Sequence, residues 1–194
     1  MEKLIGRNKI NCAIFISGRG SNLNSLIKYS KNKKSSILVS LVITNNKYAI
    51  GLRYSKSNKI KSAIINYNNK FHAESRILKI LKKNDIKLIC LAGFMKVLSK
   101  KFISNFKHPI LNIHPSLLPR HKGLNTHQKV LKNKEKYTGC TVHIVNHKID
   151  SGKILLQKRI KIFKNDTIKS LERRVLNQEH KLYPLALKKF FINL

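Results

Sequence analysis

NCAIFISGRGSNL, residues 11–23, opens on an apolar, β-branched run, passes two glycines one residue apart, and continues into a helical spacing of Leu23, Leu26 and Ile27. A strand that turns through glycines straight into a helix is the first half of a βαβ unit. The same rhythm runs through the rest of the chain. Short runs rich in Ile and Val predict strands over 11–17, 37–44, 62–66, 88–92, 110–114, 138–145 and 154–162. Helical periodicity between them predicts helices over 23–30, 50–57, 73–84, 99–105 and 126–132. A last helix is expected over 167–191, capped by Asp166 or Thr167 and broken or kinked at Pro184. This alternation specifies an α/β fold with a mostly parallel central sheet of about seven strands flanked by helices. No internal repeat, Gly/Ser linker or Pro-rich hinge interrupts it, so residues 1–194 read as a single domain behind a flexible basic lead-in at 1–9.

A chain of 194 residues buries an ordinary core without disulfides or metal staples. Its 41 Lys and Arg against 8 Asp and Glu give a formal charge of +33, which points first to a polyanion such as nucleic acid. Yet 42% hydrophobic and 25% charged residues make a globular composition, not a disordered basic tail. Lys (33), Asn (20) and Ile (25) share A/T-rich codons, so base-composition bias is expected to underlie much of the Lys excess on solvated faces. The runs SKNKK at 30–34 and KNKEK at 132–136 lack interleaved aromatics and read as solvated helix ends. A specific nucleic-acid site is therefore not expected, although salt-sensitive adhesion to RNA is. Cys12, Cys90 and Cys140 are widely spaced within apolar runs and read as reduced core thiols of a cytoplasmic protein. No apolar stretch approaches the ~20 residues of a membrane span and no secretory segment comes after Met1, so no membrane partner is expected.

In open parallel sheets ligands bind beyond the carboxyl ends of strands, and here those ends carry unusual chemistry. After the first strand, Gly18, Gly20, Ser21 and Asn22 lead into a helix N-terminus whose free N–H groups suit an anion. The loop lacks the third glycine of a dinucleotide fingerprint and the Gly-Lys-Ser/Thr of a nucleotidase loop. It reads either as a monophosphate cradle or as an ordinary strand-to-helix turn with a Ser/Asn cap. At the fifth strand Asn112 and His114 are two apart and share a face, which pairs an amide donor with a titratable imidazole; Pro115 and Pro119 stiffen the loop beyond them. A histidine there also serves as a hydrogen-bonded structural residue. Asp150, in KIDSG at 148–152, is either an Asx-turn residue or a carboxylate that would raise the pKa of His114 if close to it. His114, His121 and His127 have no metal-ligand spacing, so no metal is expected, and the loop of His121, Lys122, Gly123, Asn125 and His127 reads as a wall beside the substrate.

Taken together, ISGRGSN (16–22), LAGFMKVLS (91–99), LNIHPSLLP (111–119), GCTVH (139–143), DSG (150–152) and QEHKLYP (178–184) resemble the phosphoribosylglycinamide formyltransferases, folate-dependent enzymes of purine synthesis. The motifs keep that family's order over almost the whole chain. The resemblance implies a Rossmann-like formyltransferase fold, a cytoplasmic monomer or weak homodimer, and transfer of formyl from 10-formyltetrahydrofolate to the amine of 5'-phosphoribosylglycinamide. It implies that Gly20, Ser21 and Asn22 hold the substrate phosphate and that Glu179 meets the ribose hydroxyls. Met95, Lys96, Val97 and Leu98, with Asn112, would receive the folate, and Lys70 would stand for an upstream folate-contacting Arg. Asn112, His114 and Asp150 would carry catalysis, with a protonated His114 on the oxyanion and His143 in support behind them.

Several positions depart from the family's pattern. Lys96 replaces an Arg, Lys153 a Pro, His147-Lys148 an acidic pair, and Asn125 a frequent His. These changes bear on folate affinity and leave Asn112, His114 and Asp150 in place. The alternatives are another folate-dependent enzyme, such as methionyl-tRNA formyltransferase or a formyltetrahydrofolate hydrolase, and a basic nucleic-acid-binding module. The first two carry additional domains for which 194 residues leave no room.

Overall fold

Cys12 through Ile16 have no solvent exposure at all in the computed structural model, which describes residues 9–192. Consecutive strand residues point to opposite faces, so a run buried throughout is covered on both sides. β1 (Ile10–Ile16) accordingly lies inside the sheet, parallel to β2 (Ile37–Thr44) on one side and to β4 (Leu88–Leu91) on the other. β2 in turn pairs in parallel with β3 (Lys61–Ile64). With β5 (Ile110–His114), β6 (Tyr137–Ile144) and β7 (Ile154–Lys161) the sheet has seven strands in the order β3-β2-β1-β4-β5-β6-β7, and β7 runs antiparallel to β6. The expected α/β class and strand count are those observed. Both edge strands are largely exposed and carry Lys61 on one and Lys158, Arg159 and Lys161 on the other, charges that discourage pairing with another chain.

The chain divides into two compact units, one ending at Leu111 and the other beginning at Asn112. The first contains α1 (Ser21–Lys31), α2 (Leu52–Ser57), α3 (Lys70–Lys83) and α4 (Lys100–Phe106). α1 buries Leu23, Leu26 and Ile27, and α3 buries Ala73, Ile77 and Leu81, each set forming one helical face. α3 starts earlier than its periodicity predicts because the Asn69 side chain accepts the His72 N–H at 3.0 Å and caps the helix there.

The second unit contains α5 (Thr126–Lys132) and α6 (Ile168–Ile192). Thr167 caps α6: its Oγ1 accepts the Ser170 N–H at 3.1 Å, and Ser170 Oγ accepts the Thr167 N–H at 2.9 Å. Asp166 instead accepts the Phe163 N–H and pairs with Arg174. The break or kink expected at Pro184 is not a break, since α6 continues through it. Tyr183, Ala186 and Leu187 flank the proline fully buried, and that packing outweighs the one lost ladder bond. Cys12, Cys90 and Cys140 are buried free thiols. Among the described residues no helix is long and apolar enough to cross a membrane. Of the lead-in expected over 1–9, residues 1–8 lie outside the described part, and Lys9 is anchored by donating to the Ser30 and Asn32 carbonyls at 2.6 and 2.8 Å.

Candidate active site

In the first unit the glycine loop is built for close backbone approach. Gly20 has φ +72, and a Cβ placed on it would lie 2.5 Å from Gly51 Cα, so both conformation and space exclude a side chain. Ser21 and Asn22 then open α1, whose first N–H groups have no helical partners and whose first turn carries no acid. Ser17, which the motif alone did not mark, ties three strand ends together. Its Oγ accepts the Met95 N–H at 2.8 Å and donates to Asn45 Oδ1 at 2.5 Å, while its N–H donates to the Gly93 carbonyl at 3.0 Å.

The segment Met95, Lys96, Val97 and Leu98 comes after β4 as an irregular loop held at both ends. Ser17 holds its start, and at its far end Glu74 accepts both the N–H and the hydroxyl of Ser99. Leu98 is buried, whereas Met95 and Val97 are 62% and 58% exposed. Large apolar side chains displayed on a fixed loop offer a surface to a flat apolar ligand. Lys70 is exposed at the first turn of α3, and Lys96, His147, Lys148 and Lys153 are exposed as well.

In the second unit Asn112, His114, His143 and Asp150 converge. β5 supplies the first two from one face, β6 supplies His143, and the turn before β7 supplies Asp150. Asp150 Oδ2 lies 3.3 Å from His114 Nδ1 and accepts the Gly123 N–H at 2.8 Å. Its Oδ1 lies 3.4 Å from Asn112 Nδ2 and 3.6 Å from His143 Nε2. Asn112 Nδ2 also stands 3.3 Å from His143 Nε2. Both contacts of the amide are at the long end of hydrogen bonding, so it loses little by turning an N–H toward a reacting oxygen. His114 Nε2 meets the His121 carbonyl at 2.8 Å, which requires that nitrogen to carry a proton. The turn is tight: Asp150 has φ +46, and a Cβ on Gly152 would lie 1.6 Å from the Ile144 carbonyl oxygen, which accounts for the glycine of the DSG motif.

Two opposing effects act on the His114 ring. Asp150 does pull the His114 pKa upward, as does the His121 carbonyl, but burial is the larger effect and the net direction is down. Burial thus works against the protonated His114 expected from the sequence, while the two acceptors on its ring, the Asp150 carboxylate and the His121 carbonyl, work for it. For Asp150 burial acts upward, yet the His143 contact, the Gly123 N–H and the charge of His114 together hold the carboxyl below its usual range. It stays ionised at neutral pH.

Glu179 is buried on α6 near Cys140, whose thiol is pushed up to about 12 by burial first and by that carboxylate second. The wall-like loop proves more intimate than expected, since the His121 carbonyl meets His114 and the Gly123 N–H meets Asp150 directly. The left-handed conformations of His121, Gly123 and Asn125 bring it there, and Gly123 was the one sequence signal of that path.

The formyl transferase family model matches residues 10–187. The chain is 40% identical over 185 residues to the trifunctional purine biosynthetic protein adenosine-3 of Homo sapiens, a match covering 94% of this chain and 18% of that longer protein. It is 39% identical over 181 residues to the phosphoribosylglycinamide formyltransferase of Haemophilus influenzae, covering 92% of this chain and 85% of that one. The crystal structure of phosphoribosylglycinamide formyltransferase from Brucella melitensis agrees with a TM-score of 0.89 at 40% identity, over 94% of this chain and 96% of that chain. The chain thus spans under a fifth of the trifunctional relatives and most of the bacterial one. Because the likeness runs from β1 into α6 at this level of identity and takes in both units, the chain belongs to the formyl transferase family.

Proposed function

We propose that this protein transfers the formyl group of 10-formyltetrahydrofolate to the amine of 5'-phosphoribosylglycinamide, in the cytoplasm, as a step of purine synthesis, and that residues 1–194 act as one formyltransferase domain. The observation that carries this reading is the Asp150 carboxylate gathering Asn112 and His114 at the carboxyl end of β5. Gly20, Ser21 and Asn22 take the phosphate on the N-terminus of α1, Glu179 the ribose hydroxyls, and Met95, Lys96, Val97 and Leu98 the heterocycle of the folate, with Lys70 on its anionic portion.

The substrate amine attacks the formyl carbon, and the carbonyl electron pair moves onto its oxygen. The Asn112 amide and a ring N–H of His114 donate to that oxyanion. Burial opposes a second proton on His114, but negative charge growing beside the ring favours it, so the imidazole takes that proton from solvent as the oxyanion forms and returns it to solvent when the oxyanion collapses. Asp150, ionised and in contact with His114, receives the proton shed by the attacking nitrogen through water and returns it to the folate nitrogen as the C–N bond breaks. No covalent enzyme intermediate is required.

The test is turnover of the two purified substrates, read as loss of the formyl donor. His114→Ala and Asp150→Asn should each lower kcat by about a hundredfold or more, on the scale of one lost oxyanion donor, while remaining folded. A folded wild-type protein without turnover defeats the assignment. Near-normal rates in both variants defeat the residue roles.

A further inference from the structure

Glu135 is a carboxylate with two nitrogen-bearing neighbours of unequal weight. Its Oε1 lies 2.5 Å from His121 Nε2 and 3.1 Å from an Arg120 guanidinium nitrogen. The Arg120 side chain is 67% exposed, so solvent screens that pair. The His121 and Glu135 side chains are only 13% and 10% exposed, so theirs is the desolvated contact. Glu135 is itself fixed, its N–H donating to the Val130 carbonyl at the end of α5.

His121 has φ +53, a backbone conformation that side-chain-bearing residues seldom adopt. That same conformation aims the His121 carbonyl at His114 Nε2, 2.8 Å away. One residue thus connects Glu135, through its ring, with His114, through its carbonyl. Without the carboxylate on its ring, His121 has less to hold it in the left-handed region, and the carbonyl turns away as the backbone relaxes. His114 then loses the acceptor that places the proton on Nε2 and leaves Nδ1 facing Asp150.

We infer that Glu135 is a positioning residue for His114, acting through the His121 ring and backbone to set the orientation and tautomer of the imidazole. This inference rests on reading His114 as a reacting group, but the tautomer itself can be observed without substrate. The experiment compares Glu135→Ala, Glu135→Gln and His121→Phe with wild type, by steady-state kinetics and by side-chain ¹⁵N spectra of the histidines. Phe keeps an aromatic ring and the same reluctance to adopt the left-handed conformation but cannot bond Glu135, so His121→Phe removes the tether alone.

In Glu135→Ala and His121→Phe, kcat should fall about tenfold with both KM values within about twofold, the scale on which an orienting partner acts. The His114 signal should pass from one Nε2–H tautomer to a mixture. Glu135→Gln keeps an acceptor of the same length and should recover most of both. Wild-type kcat with an unchanged His114 spectrum in Glu135→Ala and His121→Phe overturns the inference. If Glu135→Ala does not fold, His121→Phe decides by the same criteria. If wild-type protein shows no turnover, the functional reading fails and the His114 spectra alone decide this one.

Discussion

Asp150 shows how much one residue is asked to do. It holds a left-handed backbone without being glycine, and its carboxylate meets Asn112, His114, His143 and the Gly123 N–H at once. Burial is the leading cause that lowers the pKa of both His114 and His127, and His127 Nδ1 has no hydrogen-bond partner to offset it. Between the folded and unfolded pKa values the unfolded chain binds more protons, so stability rises with pH through that window. The contribution is complete above the unfolded value of ~6.5 and is lost as pH falls through the folded values; that of Asp150 is lost only further down, below ~3.9. The melting temperature should therefore drop as pH is lowered from about 7.5 toward about 5.5, and His127→Gln should flatten that slope. Parallel slopes for variant and wild type would remove His127 from the account. Asn112 and His114 were legible because strand spacing places residues two apart on one face. Glu135 and His121 were not, since their contact depends on a left-handed turn that no periodicity announces.

Elements fix which of two similar residues matters. The loop after β1 offers Gly18 and Gly20, and nothing in the motif separates them. A Cβ on Gly18 would meet nothing within 4 Å, whereas one on Gly20 would meet the Gly51 backbone from a positive φ. Backbone atoms cannot step aside as a flexible side chain does. Gly20→Ala should cost at least about 2 kcal/mol and Gly18→Ala no more than about 0.5 kcal/mol, a difference readable in denaturant titrations. Equal losses would mean that the approach of Gly51 does not constrain the loop. The strands themselves were legible because burial on both faces leaves continuous apolar runs such as residues 12–16. Helix starts were less so. Asn69 moves the start of α3, and the reciprocal bonds of Thr167 and Ser170 choose between two plausible caps for α6. Pro184 misled for a related reason, because its effect is decided by the burial of its neighbours and not by its own chemistry.

At the scale of the whole chain the +33 charge divides into two populations. Four of the scarce acids are committed: Glu74 holds Ser99, Glu135 holds His121, Asp150 holds His114, and Asp166 holds the entry to α6. The cations face outward, and some sit where helix dipoles favour them, as Lys28 and Lys31 end α1, Lys82 and Lys83 end α3, and Lys129 and Lys132 end α5. No described helix opens with an acid in its first turn, so the positive N-terminal ends are not neutralised there. A surface charged in this way attracts anions whatever put the lysines there, so a codon-derived excess and a kinetic benefit are compatible. The attraction acts over a Debye length, ~10 Å at 0.1 M salt, and shrinks as salt is added. Both proposed substrates are anions. The rate constant kcat/KM should therefore fall about tenfold from low salt to ~0.5 M, while kcat, set by groups in contact, stays nearly level. A kcat/KM that does not respond to salt would mean that the surplus lysines contribute nothing to capture and that their excess is compositional only.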